Sequence, residues 1–290
     1  RDSRFGATWT PRLGLVWTPT GDHSVKLLYG TAFLAPSPFR AFQHYGSFRA
    51  TGPGTYASSF WHLPNPGLQP ERERTLELSY RVVLRESLGV TAAFHRTDLS
   101  DLHTSIADAG NTNLYGGTYK GWPVSFIEVT GNQGRQVNQG WMVNGDLMVP
   151  TRIGTLSAYA SWSQIEGRVE GQGGRTGEAG LLTPRMIKAG VDLRAEHGTL
   201  SIAAAWIGPQ RTRAWSATDP STRGRVAGYR DLVLRGSWSF RPWMELFFRV
   251  DNVLDEALRH VGEDSVAIPG SFPGTPQAGR RWSAGIRASF

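Results

Sequence analysis

The sequence predicts an all-β protein, an antiparallel transmembrane β-barrel of which about eleven strands are present. Three observations carry that prediction. Segments of strict apolar/polar alternation recur along the whole chain, with no competing helical period. The connections between them go short, long, short, long throughout, the pattern of barrels with tight turns at one rim and large loops at the other. No run of about 18 apolar residues exists, which excludes a transmembrane helix but not spanning strands of about 9–11 residues.

The first segment is 8–18, with Leu13, Leu15 and Trp17 against Arg12, Gly14 and Val16. A Pro-Thr-Gly-Asp turn leads into the second, 23–33, where Val25, Leu27 and Tyr29 oppose Lys26, Leu28 and Gly30. A long stretch, 34–70, rich in Pro, Gly, Ser and aromatics, reads as an irregular loop. The third segment, 74–84, sets Leu76, Leu78, Tyr80 and Val82 against Glu77, Ser79 and Arg81; the turn 85–87 reverses it into the fourth, 88–98, with Val90, Ala92 and Phe94 on its apolar side. A second long loop covers 99–123.

The fifth segment, 136–149, carries Trp141, Val143, Leu147 and Val149 against Asn144, Asp146 and Met148. The sixth, 155–164, turns Leu156, Ala158, Ala160 and Trp162 one way, and a Gly-rich loop follows at 166–182. The seventh, 186–194, alternates Ile187, Ala189, Val191 and Leu193 with Lys188, Gly190, Asp192 and Arg194, and the eighth is 200–206. After a polar loop at 208–228, the ninth, 229–240, and the tenth, 244–252, are joined by Arg241-Pro242. A last loop, 253–276, precedes the closing strand in 277–290, where Trp282, Ala284, Ile286, Ala288 and Phe290 share one face and Arg281, Ser283, Gly285, Arg287 and Ser289 the other.

Energetics choose the side facing lipid. A one-residue slip in the tenth strand would carry Glu245, Arg249 and Asp251 into hydrocarbon, at about 2–4 kcal/mol for an Arg near the midplane. Charged faces are therefore expected inward, aromatic and aliphatic faces outward, with Trp residues near strand ends as interfacial girdles. Inward pairs expected from spacing are Glu245 with Arg249 and Asp231 with Arg235.

Composition bounds the alternatives. The 290 residues contain no Cys, so disulfides and thiolate metal sites are excluded. Mean hydropathy is −0.32, which a barrel permits. The formal charge is +7, yet the Arg residues are spread over strands and loops without a basic helix or tract, which argues against nucleic acid. Eleven strands leave two open edges, which hydrocarbon does not tolerate. A 22-stranded barrel needs about twice this length, so the expectation is one domain over 1–290 that is the C-terminal half of a 22-stranded barrel. The chain opens on Arg1 without a signal-peptide pattern, which fits that expectation.

Five boxes, in order, resemble those of TonB-dependent outer-membrane receptors. Phe33-Leu34-Ala35-Pro36-Ser37 resembles the family's Phe-Arg-Ala-Pro-Ser box, with Leu34 in place of Arg. Asn65-Pro66-Gly67-Leu68-Gln69-Pro70-Glu71 is similar to Asn-Pro-Asn/Asp-Leu-Lys-Pro-Glu, and the segment from Phe94 to Leu99 to Phe-Tyr-x-Thr-Asp-Ile. Val250-Asp251-Asn252-Val253-Leu254-Asp255 resembles Val-x-Asn-Leu-Phe-Asp, and the stretch from Gly279 to Phe290 the C-terminal signature. The resemblance implies an integral outer-membrane barrel with an N-terminal plug, both the plug and the first strands absent from this chain. It also implies uptake of a scarce nutrient (an iron-siderophore, haem, cobalamin or similar) driven by a TonB complex that engages the missing N-terminal region. Outer-membrane lipid and lipopolysaccharide are the expected surroundings.

No nucleophile–base–orienter set and no metal-ligand spacing stands out, so the chain is not read as an enzyme. Ligand-binding candidates lie in the loops. Family members that take up haem carry a His between the first two boxes, where His44 and His62 fall here; imidazole can ligate haem iron, and Tyr45, Tyr56 and Trp61 could stack on a porphyrin. Haem is thus a candidate cargo; no resident cofactor is expected. In 208–228, Arg211, Arg213, Trp215, Arg223 and Arg225 suit an anionic siderophore or a lipopolysaccharide phosphate. Two rival readings are a phospholipase-like outer-membrane enzyme, which needs a lipid-facing Ser/His pair, and a passive porin, which needs a complete even-stranded chain.

Overall fold

The computed structural model describes residues 8–108, 118–119, 122–124, 127–170, 176–180, 182–214, 223–261 and 274–289. All eleven alternating segments are strands. They are β1 (Arg12–Thr20), β2 (His23–Leu34), β3 (Glu71–Leu84), β4 (Leu88–Ser100), β5 (Arg135–Thr151) and β6 (Gly154–Glu170), followed by β7 (Arg185–Ala195), β8 (Gly198–Ile207), β9 (Tyr229–Arg241), β10 (Met244–Asp251) and β11 (Arg281–Ala288). Each pairs antiparallel with its neighbour in sequence, giving one meander from β1 to β11, and the short strand Thr176–Glu178 adds to the loop end of β6. Among the described residues β1 and β11 do not pair with each other, so the sheet has two edges.

Register follows the pleat. Leu84 faces Leu88, and the row continues through Leu147, Ala158, Val191, Ile202, Leu234, Val250 and Trp282, one apolar side chain per strand from β3 to β11. A one-residue slip of β5, β7 or β10 would insert a charged residue (Asp146, Asp192 or Asp251) into that row.

The apolar face is the more open one. In β3, Leu76, Leu78 and Tyr80 are 40%, 48% and 41% exposed, whereas Thr75, Glu77 and Ser79 behind them are half-buried. Side chains spread on the convex side of a curled sheet and crowd on the concave side, so the sheet curls with its polar face inward. A water-soluble sheet would bury the apolar side. Here Leu15, Trp17, Trp141, Ile187, Ile202, Trp238, Phe248 and Ile286 all stay exposed, and among the described residues no second layer covers them.

The inward face satisfies its charges laterally. Arg81 donates to both Asp146 oxygens (3.1 and 3.3 Å) and to Thr91, and Ser201 donates to Asp192. The pairings expected in the last strands are different from those observed. Arg249 pairs with Asp251 on its own strand at 2.7 Å, and Glu245 pairs with Arg287 of β11 at 2.8 Å. The cause is register, since Glu245 lies directly opposite Arg287. Among the described residues Asp231 and Arg235 form no ion pair with each other, and Asp231 Oδ1 is buried without a bonded partner. Two inward glycines make room for neighbouring rings: a Cβ on Gly190 would lie 2.4 Å from Tyr159, and one on Gly285 2.7 Å from Phe247.

The short turns lie at one end. In the β3–β4 turn, residues 85–87, Arg85 and Glu86 both take positive φ (51° and 59°) and Ser87 N donates to Leu84 O, a left-handed tight turn whose twist matches that of the flanking strands. The opposite end carries the long connections, and these are more ordered than their composition suggests. Within 35–70, Ser37 caps the one-turn helix α1 (Pro38–Phe42), with Pro38 in its first turn. The strands Tyr45–Gly52 and Thr55–Leu63 then form a hairpin. Strands from the connection between β4 and β5, His103–Asp108 and Ile127–Asn132, complete a four-stranded sheet, in which Ile127–Asn132 runs parallel to Thr55–Leu63. The expectation of irregular loops missed this sheet because its pairings join segments separated by β3 and β4.

Candidate functional site at the loop end

The loop sheet assembles the aromatic candidates in one place. Leu63, Val124 and Ile127 form its buried core, with Trp61 and Val129 packed against it. Cross-strand pairing sets Tyr45 opposite His62, and their rings stack at 5.0 Å. His44 tilts against Trp61 at 5.1 Å, and Phe48 meets the same indole edge-on at 5.0 Å. His44, Tyr45, Trp61 and His62 are therefore neighbours in space, but they do not present the same chemistry. His62 is 4% exposed, with Glu128 3.9 Å from its Nδ1, while His44, Tyr45 and Tyr56 are exposed. Of the two imidazoles, that of His44 is the solvent-exposed one.

The other candidates are placed separately. Arg211 lies in the hairpin Gln210–Ala214/Arg223–Val226 and is bonded to Glu178 at 2.9 Å. That hairpin is pinned by Thr212, 0% exposed, whose hydroxyl accepts the Gly224 N–H. Arg213 falls on the same strand with its side chain outside the described residues; Trp215 and Phe290 lie wholly outside them. Among the described residues no group of three or more His, Asp or Glu is arranged to hold a metal ion.

The boxes turn out to be fasteners. Pro36 is buried ahead of the Ser37 cap, while Phe33 stays exposed and Ala35 half-buried. Asn65 accepts the Gly67 N–H on Oδ1, closing an Asx-type turn across Pro66, and donates from Nδ2 to Thr130 O in the second loop. Leu68 is 1% exposed. Asn132 accepts the Gln69 N–H at 2.7 Å and donates back to Gln69 O and to Asp101 O. Pro70 brings the chain into β3, whose first residue, Glu71, accepts the His103 N–H at 2.7 Å, while His103 Nε2 lies 2.7 Å from Gln69 O. His103, Thr130 and Asn132 were not singled out from the sequence. Their partners are some 30 to 65 residues away, and no local spacing signals them.

The fourth box closes β10. Asn252, 2% exposed and at φ 49°, brackets Glu256 with both side-chain atoms (Nδ2 to Glu256 O 2.9 Å, Oδ1 from Glu256 N 3.1 Å). Asp255, φ 54°, accepts the Arg280 N–H and so ties the turn to β11. The Glu256 carboxyl is held below the usual carboxylate range, first by the Arg230 backbone N–H it accepts and then by the Arg230 guanidinium. These contacts make a bonded loop-end frame that displays aromatic and basic side chains.

The model of a family described as TonB dependent receptor-like, beta-barrel, matches residues 1–253. No curated protein matches the chain. Among solved structures, the siderophore receptor PirA from Acinetobacter baumannii superposes with a TM-score of 0.73 at 15% identity, over 99% of this chain and 42% of that one. A variant of the ferric enterobactin receptor PfeA from Pseudomonas aeruginosa gives 0.70 at 19% identity, over 99% and 41%. The ferric-catecholate import receptor Fiu from E. coli K12 gives 0.64 at 13% identity, over 96% and 34%. The chain thus spans about two-fifths or less of the length of these receptors.

Proposed function

The chain belongs to the TonB-dependent receptor β-barrel family, and from that premise we propose that it forms part of an outer-membrane receptor that imports a ferric siderophore with energy delivered by TonB. The observation that carries the reading is the eleven-stranded sheet itself, with apolar side chains on its open convex face, ion pairs on its concave face and an ordered cap over one end. Such a wall separates lipid from a wet interior and offers a ligand a structured entrance. The solved receptors it resembles carry siderophores in their descriptions, which supports that ligand class. Their greater length supports further strands and a plug being supplied by residues outside this chain, with the edges at β1 and β11 paired to those strands.

At the entrance, His44, Tyr45 and the Arg211 hairpin face an incoming anionic, aromatic chelate, and inward pairs such as Arg81–Asp146 contact the plug. Uptake of radiolabelled ferric siderophores by cells expressing the full-length protein tests this. Accumulation should require TonB and fall about tenfold or more when His44, Tyr45 and Arg211 are replaced together by Ala. Flux that is unchanged in cells lacking TonB would leave a passive pore. A haemin titration settles the remaining cargo question: a Soret shift lost in His44→Ala and kept in His62→Ala would make haem the cargo, and no shift in the unaltered protein removes it.

A further inference from the structure

Two buried imidazoles belong to the loop sheet, and their surroundings differ. His62 lies between Tyr45 and Glu128 in the register of that sheet, and neither of its ring nitrogens has a hydrogen-bond partner among the described residues. His103 is the reverse case. Its side chain is 1% exposed, yet both ring nitrogens face oxygen: Nε2 lies 2.7 Å from Gln69 O, and Nδ1 lies 3.3 Å from Glu71 Oε1. That carboxylate oxygen accepts the His103 backbone N–H at 2.7 Å. Gln69 O takes a further hydrogen bond from Asn132 Nδ2 at 2.8 Å.

The chemistry of these partners fixes the protons. A backbone carbonyl oxygen only accepts, so Nε2 carries a hydrogen. With that hydrogen in place, a neutral ring would turn the lone pair of Nδ1 toward the Glu71 carboxylate, in a site closed to water where repulsion is weakly screened. A second proton on Nδ1 converts the repulsion into a charge-assisted contact. We infer that His103 is an imidazolium clamped between Gln69 and Glu71, and that this buried charge pair is a pH-sensitive clasp holding the loop sheet to the barrel wall.

Its place in the fold gives the clasp leverage. Gln69 ends the first long connection and Glu71 begins β3, while His103 opens the strand His103–Asp108, which pairs with Ile127–Asn132. One side chain therefore joins both connections that build the sheet. Among the described residues Glu71 is the one acid within ion-pair range of His103. The other charged groups on the surrounding elements have partners of their own: Arg72 lies 3.9 Å from Asp101, Asp98 holds Arg135, Glu73 accepts the Thr75 hydroxyl, and Glu128 lies 3.9 Å from His62. The sign of the response follows. Imidazole changes charge between about pH 5 and 8. The clasp is closed while the ring holds both protons, and its stabilisation is lost as pH rises and Nδ1 gives up its proton.

The test uses the full-length protein in nanodiscs, without ligand. Amide exchange of residues 127–132, corrected for the intrinsic effect of pH, should quicken about tenfold or more between about pH 6 and 9, while that of β5 to β8 stays level. This comparison needs no variant to fold. His103→Gln should exchange fast at both ends of the range, whereas His62→Gln should keep the response of the unaltered protein. Solid-state nitrogen NMR of histidine-labelled protein at neutral pH should show one imidazole with two solvent-protected N–H protons. Exchange indifferent to pH, a response that survives in His103→Gln, or rings with a single proton throughout would overturn the assignment. On the receptor reading proposed above, ferric siderophore binding should weaken over the same range, because Tyr45 stands on the sheet the clasp holds. A responsive clasp in a protein that binds no siderophore would count against that reading alone.

Discussion

Asn65 bonds to two backbone partners in different loops, so its loss is expected to act at a distance. Asn65→Ala should weaken the attachment of Ile127–Asn132 by about 1–3 kcal/mol, since its bond to the buried Thr130 is lost, and the amides of that strand should exchange faster while those of β5 to β8 do not. Arg85 and Glu86 occupy left-handed backbone that favours Gly and Asn. Arg85→Asn with Glu86→Gly should therefore stabilise the β3–β4 hairpin by about 1 kcal/mol, read as a higher urea midpoint. Glu256 gives a pH dependence of definite sign. Its folded pKa is depressed by Arg230, so the stabilisation is complete above the unfolded value and is lost as pH falls through the folded one. Hydrogen exchange of the turn after β10 should rise on acidification, and Glu256→Gln should abolish that rise. The boxes containing Asn65 and Asn252 were recognisable in the sequence, but their role as fasteners was not, because Thr130, Asn132 and Arg280 meet them through the fold alone.

Strands are where sequence and structure agree most fully. The alternation is legible because each strand has two solvents, and one misplaced residue would put a charge into hydrocarbon. Leu78→Arg should accordingly cost about 2–4 kcal/mol in folding into lipid vesicles, and Ser79→Arg on the wet face much less. Gly190→Val should disturb β6 and β7 together, since its branched carbon would occupy the space of the Tyr159 ring; a near-ultraviolet signal from Tyr159 reports it. Cross-strand charge pairing was less legible. Spacing suggested Glu245 with Arg249, yet lateral register gave Glu245 to Arg287, and register is fixed by turns and bulges such as that between Ser239 and Arg241. The loop sheet was not legible at all, since sequence-local turn signals in 35–70 compete with pairings made to 103–132.

For the whole molecule, the outward face presents an apolar belt, the inward face ion pairs such as Arg81 with Asp146, and one end an ordered cap. That cap has a parallel pair, Thr55–Leu63 with Ile127–Asn132, between segments that β3 and β4 separate. Parallel partners cannot be reached by a hairpin, so neither segment can find the other until the intervening strands are in place. Closure of a contact so distant along the chain comes late. The entrance is therefore late to mature during assembly, and a chain stalled at the end of β4 would present a complete β1–β4 meander with an unfinished door.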